Sequence, residues 1–134
     1  MDIKVGMMKE VIIRVDESMS IDFLGSDVMV LSTPSMVNAI EMVCRDMVKP
    51  YLDSNHDTVG IMVNIKHLAP TPVGMDIRII AMLVNVNGKR LEFKAEVYDD
   101  VEKVGEAIHE RYIINRTAFT YKIKEKLLKK GNNK

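Results

Sequence analysis

One stretch, Thr33 to Leu52 (TPSMVNAIEMVCRDMVKPYL), restricts the fold more than any other. Ser32 or Thr33 suits a helix N-cap, because a short hydroxyl accepts from the unpaired N–H groups of the first turn. Pro34 fits that turn, where a missing N–H costs nothing. At about 100° per residue, Met36, Val37, Ile40, Val43, Cys44, Met47, Val48 and Tyr51 share one broad face. Asn38, Arg45, Asp46 and Lys49 lie opposite. A helix with so wide an apolar face must be covered by another layer. Glu41 falls on the border, flanked at helical spacing by Val37, Cys44 and Val48. A carboxylate held there suits base or nucleophile chemistry. A solvated glutamate is the plainer alternative.

The remainder of the chain supplies the covering layer. Lys9 to Asp16 has a strand pattern, and Glu17 to Leu31 is broken by Gly25-Ser26-Asp27 into a loop ahead of the helix. After the polar Asp53–Asp57 connection come four strand patterns. Thr58 to His67 places Val59, Ile61, Val63, Ile65 and His67 on one face by simple alternation. Met75 to Val86 contains the nearly unbroken apolar run Ile79–Val84, which suggests burial on both faces, by the helix or by a second subunit. Asn87-Gly88 is a two-residue hairpin signal. Leu91 to Tyr98 alternates, with Leu91, Phe93, Ala95 and Val97 inward, and Asp99-Asp100 marks the next turn. Lys103 to Arg116 is a long last strand. Phe119 to Lys130 extends it at first and then turns into a basic helix, with a frayed tail over Gly131–Lys134. Strand, loop, long helix and four antiparallel strands define a single α+β domain over residues 1–134. One sheet on one helix leaves surface and edges bare, so a two-fold dimer, or a dimer of dimers, is expected.

Composition excludes several classes. The 19 basic and 19 acidic residues cancel, and only 5% of residues are aromatic, which argues against a nucleic-acid partner. A single cysteine, Cys44, on the apolar face rules out an intrachain disulfide framework. The start, MDIKVGMMKEVI, lacks an apolar signal core, and no apolar run approaches a membrane span, so a cytoplasmic protein without a membrane partner is expected. No metal set, Gly-rich phosphate loop or Gly-x-Ser-x-Gly elbow occurs, so no metal or cofactor is expected.

Among the histidines, His56 lies in the polar loop. His67 closes a strand on the helix-facing parity. His109 and Arg111 share a face of the last strand beside the small Gly105 and Ala107, which leave room for a ligand or a close helix. Gly60 interrupts a strand, as a bulge or a close backbone approach requires, and its surroundings suit a backbone oxyanion donor. Each of these residues has a structural alternative: a satisfied core histidine, a buried polar pair, an N-cap for Thr33.

The run Ser32-Thr33-Pro34-Ser35-Met36-Val37…Glu41, then Thr58-Val59-Gly60, then His67-Leu68-Ala69-Pro70-Thr71-Pro72-Val73-Gly74 resembles the fluoroacetyl-CoA-thioesterase-like family. Asn87–Phe93 and His109-Glu110-Arg111 continue the resemblance in order, over roughly Val5 to Ile123. It implies a hotdog fold, in which an antiparallel sheet wraps a long central helix, and dimers with active sites at the subunit interface. It also implies hydrolysis of a small or medium acyl-CoA, with Thr33, Glu41 and His67 catalytic. Gly60, Phe23, His109 and Arg111 would bind or support the substrate. The implied scheme sets the thioester carbonyl near the helix N-terminus and Gly60, with His67 assisting departure of the CoA thiolate as partner of Glu41. The family's phenylalanine-rich lid is absent: its positions fall on Leu24 and Asp27, and Phe23 is displaced, which speaks against specificity for fluoroacetate. A non-catalytic acyl-CoA-binding sensor and a hotdog hydratase are the alternatives. Thr33 and Glu41, eight residues apart on one helix, are separated by about 12 Å along its axis.

Overall fold

The computed structural model describes residues 2–132. The apolar helix face decides the layering. α1 (Thr33–Val48) buries Met36, Ala39, Ile40, Val43, Cys44, Met47 and Val48 against one face of a five-stranded antiparallel sheet. That sheet comprises β1 (Met8–Arg14), β4 (His56–His67), β5 (Asp76–Asn87), β6 (Arg90–Tyr98) and β7 (Lys103–Asn115), in the spatial order β1-β5-β6-β7-β4. Two short strands, β2 (Ser20–Ile21) and β3 (Val30–Leu31), pair with each other ahead of the helix. The α+β architecture expected from the order of elements is the one observed.

Ser32 is the N-cap of α1; its hydroxyl accepts from the Ser35 N–H at 3.2 Å, which leaves the Thr33 hydroxyl free for other use. The helix is shorter than expected. It ends at Val48, and Lys49–Tyr51 form a 3-10 turn. Pro50 explains this, since it cannot donate to the carbonyl four residues back and its ring collides with it. Tyr51, assigned to the apolar face, is consequently turned out to solvent.

The inward residues of β6, Leu91, Phe93, Ala95 and Val97, are buried as alternation requires. The run in β5 is not covered on both faces in the protomer: Ile77, Ile79, Ala81 and Leu83 are buried, whereas Ile80 and Val84 are partly covered and Met82 is exposed. The hairpin turn is displaced by one residue from the expected Asn87-Gly88. Asn87 pairs with Arg90, and Gly88-Lys89 form the turn, with Gly88 at φ +60°. Glycine at the first central position of a two-residue turn takes the positive φ that matches the sheet twist. At the next turn, the Asp99 carboxylate accepts from the N–H groups of Val101 and Glu102.

β4 departs from simple alternation. A bulge between Gly60 and Met62 leaves Ile61 unpaired. Gly60 lies opposite Arg111, and Val63, Ile65 and His67 lie opposite His109, Ala107 and Gly105. Directly opposed residues share a face, so Thr58, Gly60, Val63, Ile65 and His67 face α1; Val59 and Ile61 do not. Gly105 serves a close helix rather than a ligand: a Cβ there would meet Met36 Sδ at 2.5 Å.

β7 does not continue past Asn115. It passes directly into α2 (Arg116–Asn132), whose cap is the Asn115 side chain accepting from the Ala118 N–H at 2.9 Å. Local capping therefore overrides the expected strand extension through Phe119. Of the tail expected to fray, Gly131 and Asn132 close this helix, and residues 133–134 lie outside the described residues.

Candidate active site

The candidate residues gather in two clusters. At the start of α1, Thr33 Oγ1 lies 2.7 Å from His67 Nδ1, at the end of β4. His67 Nε2 is buried without a hydrogen-bond partner among the described residues. An unmet buried nitrogen costs about 1–3 kcal/mol. Burial pushes the His67 pKa below the usual histidine value, against the opposing pull of the Ala69 backbone. The imidazole is therefore neutral at neutral pH, able to take a proton.

The second cluster surrounds Gly60. A Cβ built there would sit 3.2 Å from His109 Cε1, 3.5 Å from Arg111 Nη1 and 3.6 Å from Glu41 Oε1. Glycine is needed here for close approach, not for an unusual backbone angle. Arg111, only 4% exposed, donates from Nε to Thr58 Oγ1 at 2.7 Å, from Nη2 to the Thr58 carbonyl at 2.8 Å and from Nη1 to His109 Nε2 at 3.1 Å. His109, 1% exposed, lies with Nδ1 2.8 Å from the Met62 carbonyl, an atom that can only accept. Nδ1 therefore carries the proton and Nε2 is the bare acceptor facing Arg111. Burial is the main cause lowering the His109 pKa, and the Arg111 charge adds to it. Phe93 stacks on the ring at 6.2 Å between centroids. Burial also opposes the Arg111 charge, and Glu41 is the largest influence that favours it. A buried guanidinium with fixed donors thus faces a half-buried carboxylate beside an open glycine. Cys44 lies close to this pair, but burial pushes its thiol up to about 12, so it is not a nucleophile.

Within one protomer the clusters do not merge. Gly60 and His67 are seven residues apart on β4, roughly 20 Å at strand rise. His67 pairs with Thr33, whereas Glu41 pairs with neither; its neighbours are Gly60, His109 and Arg111. The helix N-terminus and Gly60, which the implied scheme sets on one carbonyl, likewise stand at different ends. His109 and Arg111 are the immediate surroundings of Glu41, closer in than the supporting position expected for them. Thr58 was not singled out from the sequence; its signal was adjacency to Gly60 on the face that Arg111 shares. Phe23 is 72% exposed on the loop between β2 and β3, and makes no contribution to either cluster within the protomer. His56, expected in a loop, begins β4 and lies 2.8 Å from Asp53.

The antiparallel sheet closed on one long helix has the layering of a hotdog protein. Comparison with known proteins agrees. The family model for fluoroacetyl-CoA-specific thioesterase matches residues 15–117. The fluoroacetyl-CoA thioesterase of Streptantibioticus cattleyicolor is 32% identical over 97 residues, 72% of this chain and 70% of that one. A solved structure of the fluoroacetyl-CoA thioesterase matches with a TM-score of 0.85 at 27% identity, over 92% of this chain and 97% of its own. A hot-dog-like protein from Thermanaerovibrio acidaminovorans matches at 0.83 with 18% identity, over 91% of each chain, a likeness of fold alone. The chain belongs to the fluoroacetyl-CoA-specific thioesterase family, which places it among the thioester hydrolases.

Proposed function

We propose that the protein hydrolyses small or medium acyl-CoA thioesters at sites completed by a second copy of itself across β4. The carrying observation is the division of the candidate set between two places on one free edge strand. Seven residues would put Gly60 and His67 on opposite faces of a regular strand, but the bulge at Ile61 brings both to the α1 side. Antiparallel pairing of β4 with its counterpart, about a two-fold axis at Asn64, sets Gly60 of one protomer across from the partner's His67. Two equivalent sites result, each taking Glu41, Gly60 and Arg111 from one subunit and Thr33 and His67 from the other. The exposed Ile61, Met62 and Val63 of this edge are what such pairing covers.

In this arrangement the thioester carbonyl lies against Gly60. Glu41, beside the Arg111 charge, delivers its own oxygen or that of a deprotonated water to the carbonyl carbon. The C–S bond breaks as the tetrahedral oxyanion collapses. His67 Nε2 passes a proton to the departing sulfur while Nδ1 takes one from the Thr33 hydroxyl, and water restores the threonine proton; an anhydride formed by direct attack of Glu41 is then hydrolysed by water, which frees the acid. With Leu24 and Asp27 at the lid positions, fluoroacetyl-CoA is not the preferred substrate.

A panel of acyl-CoAs with free-thiol detection tests the reading, with Glu41→Gln as control. Thiol release that is lost in the folded variant is the expected result. Saturable acyl-CoA binding without release would make the protein a sensor instead, and a monomer on gel filtration would remove the shared site.

A further inference from the structure

Glu41, Arg45 and Lys49 follow one another at single-turn spacing along α1, so a line of side chains runs about 12 Å from the reacting carboxylate to the helix end. There, three cations converge on one acid. Arg45 donates to both Asp57 oxygens at 3.0 and 2.6 Å, Lys49 Nζ lies 3.5 Å from Asp57, and Arg116 lies 3.7 Å from it. The Arg45 hydrogen bonds are the main cause holding the Asp57 carboxyl well below the usual range, so it is ionised, and the group still carries excess positive charge. Beyond it opens a shallow hollow of about 440 Å³ lined by Asn55, Arg116, Thr117, Thr120, Tyr121 and Lys124. α2 continues the field, with six basic residues against one acidic, Glu125. Among the described residues no carboxylate lies within 4 Å of its lysines. Asn55, just ahead of β4, is five residues from Gly60, about 16 Å at strand rise.

We propose that this hollow at the junction of α1 and α2 is the subsite for the phosphorylated nucleotide end of coenzyme A. The inference rests on the thioesterase reading and deepens it. A CoA thioester whose carbonyl lies at Gly60 must carry its diphosphate and 3′-phosphate an extended pantetheine arm away, and the hollow lies at that remove along both α1 and β4. Arg116 and Lys124 meet the phosphates as charge-assisted donors. Tyr121, largely exposed at the rim, offers a face for the adenine. Asp57 keeps Arg45 and Lys49 ordered, and its single charge does not neutralise the site.

The test is the double variant Arg116→Ala/Lys124→Ala, assayed with an acyl-CoA and with the same acyl group on pantetheine, which has no phosphate. The expected result is a KM for the acyl-CoA raised roughly tenfold or more, with kcat within about twofold and no change for the pantetheine thioester. An unchanged KM, or an equal rise for both substrates, overturns the proposal. Calorimetric titration of CoA and of 3′-dephospho-CoA into both proteins reads the subsite without turnover. Weaker CoA binding by the variant, with a smaller loss for the dephosphorylated form, supports it even if no thioester is hydrolysed. Equal CoA affinity for the two proteins overturns it while leaving the hydrolase reading intact.

Discussion

Replacing Gly60 by alanine separates site geometry from fold stability. The added methyl would lie 3.2 Å from His109 Cε1, against a comfortable carbon–carbon separation of about 3.5–4.0 Å. The approaches to Arg111 and Glu41, at 3.5 and 3.6 Å, are ordinary contacts. His109 must therefore yield by about 0.3 Å, and it is held from both ring nitrogens, by the Met62 carbonyl and by Arg111. Straining those bonds costs on the order of 1 kcal/mol. Gly60 is not at positive φ, so alanine adopts the backbone freely and recovers about 0.4–1 kcal/mol through the unfolded chain. The two contributions nearly cancel, and the melting temperature should move by no more than about 4 °C. Turnover should not be spared. The methyl occupies the space where the proposed site sets the substrate carbonyl beside Glu41, and moving the carbonyl aside by about 1 Å costs roughly a hundredfold, or about 2.7 kcal/mol of barrier. Thermal unfolding and kcat/KM measured on one preparation decide the matter. Activity within about threefold of the parent, with the melting temperature unchanged, would refute the placement of the carbonyl at Gly60. A stability loss above about 3 kcal/mol would refute the strain argument.

Thr33→Val, which removes the hydroxyl 2.7 Å from His67, should lower kcat roughly a hundredfold while costing about 1 kcal/mol of stability; Thr33→Ser should retain most activity, and steady-state kinetics on both variants checks this. Burial depresses the pKa of both His67 and His109, so above about pH 6.5 both are neutral, folded or unfolded. Below that value the unfolded chain takes up protons first, so stability should fall with falling pH until the depressed folded values are passed. Denaturant melts from pH 8 to pH 5 measure it, and His109→Gln should flatten the dependence. The acid limb of kcat/KM should also bend below pH 6.5, and a bend above it would contradict a neutral His67.

The parts of this molecule legible in its sequence are those governed by period and side-chain type. The stripe from Met36 to Val48 and the alternation from Leu91 to Val97 each follow from burial of one face. The departures arise where one atom or one residue overrides the pattern. Pro50 ends α1 early because its ring nitrogen carries no hydrogen. Asn115 caps α2 where a strand would otherwise continue. Ile61 is inserted without a partner, and nothing in TVGIMVNIKH distinguishes that insertion from regular alternation except the presence of glycine. The pairing of Thr33 with His67 was within reach, since a threonine relieved of capping by Ser32 has its hydroxyl to spare. The company of Glu41 was not, because the sequence neighbours of Gly60 do not state which rung of β7 lies opposite it. Motif resemblance named the residues without saying that they would stand at two ends of one strand.

The spatial order of the strands sets an order in time. β5, β6 and β7 are sequential neighbours joined by tight turns, so their pairings close short loops. β4 precedes all three, yet it pairs with β7, His67 with Gly105 and His56 with Asn115. That closure has a larger chain-entropy cost and has no template until the meander exists. Pulsed hydrogen exchange should accordingly find β5–β7 protected before β4. Gly60 and His67 both ride on that late strand, so a folding chain can hold a nearly complete sheet and still lack both strand residues of the proposed site.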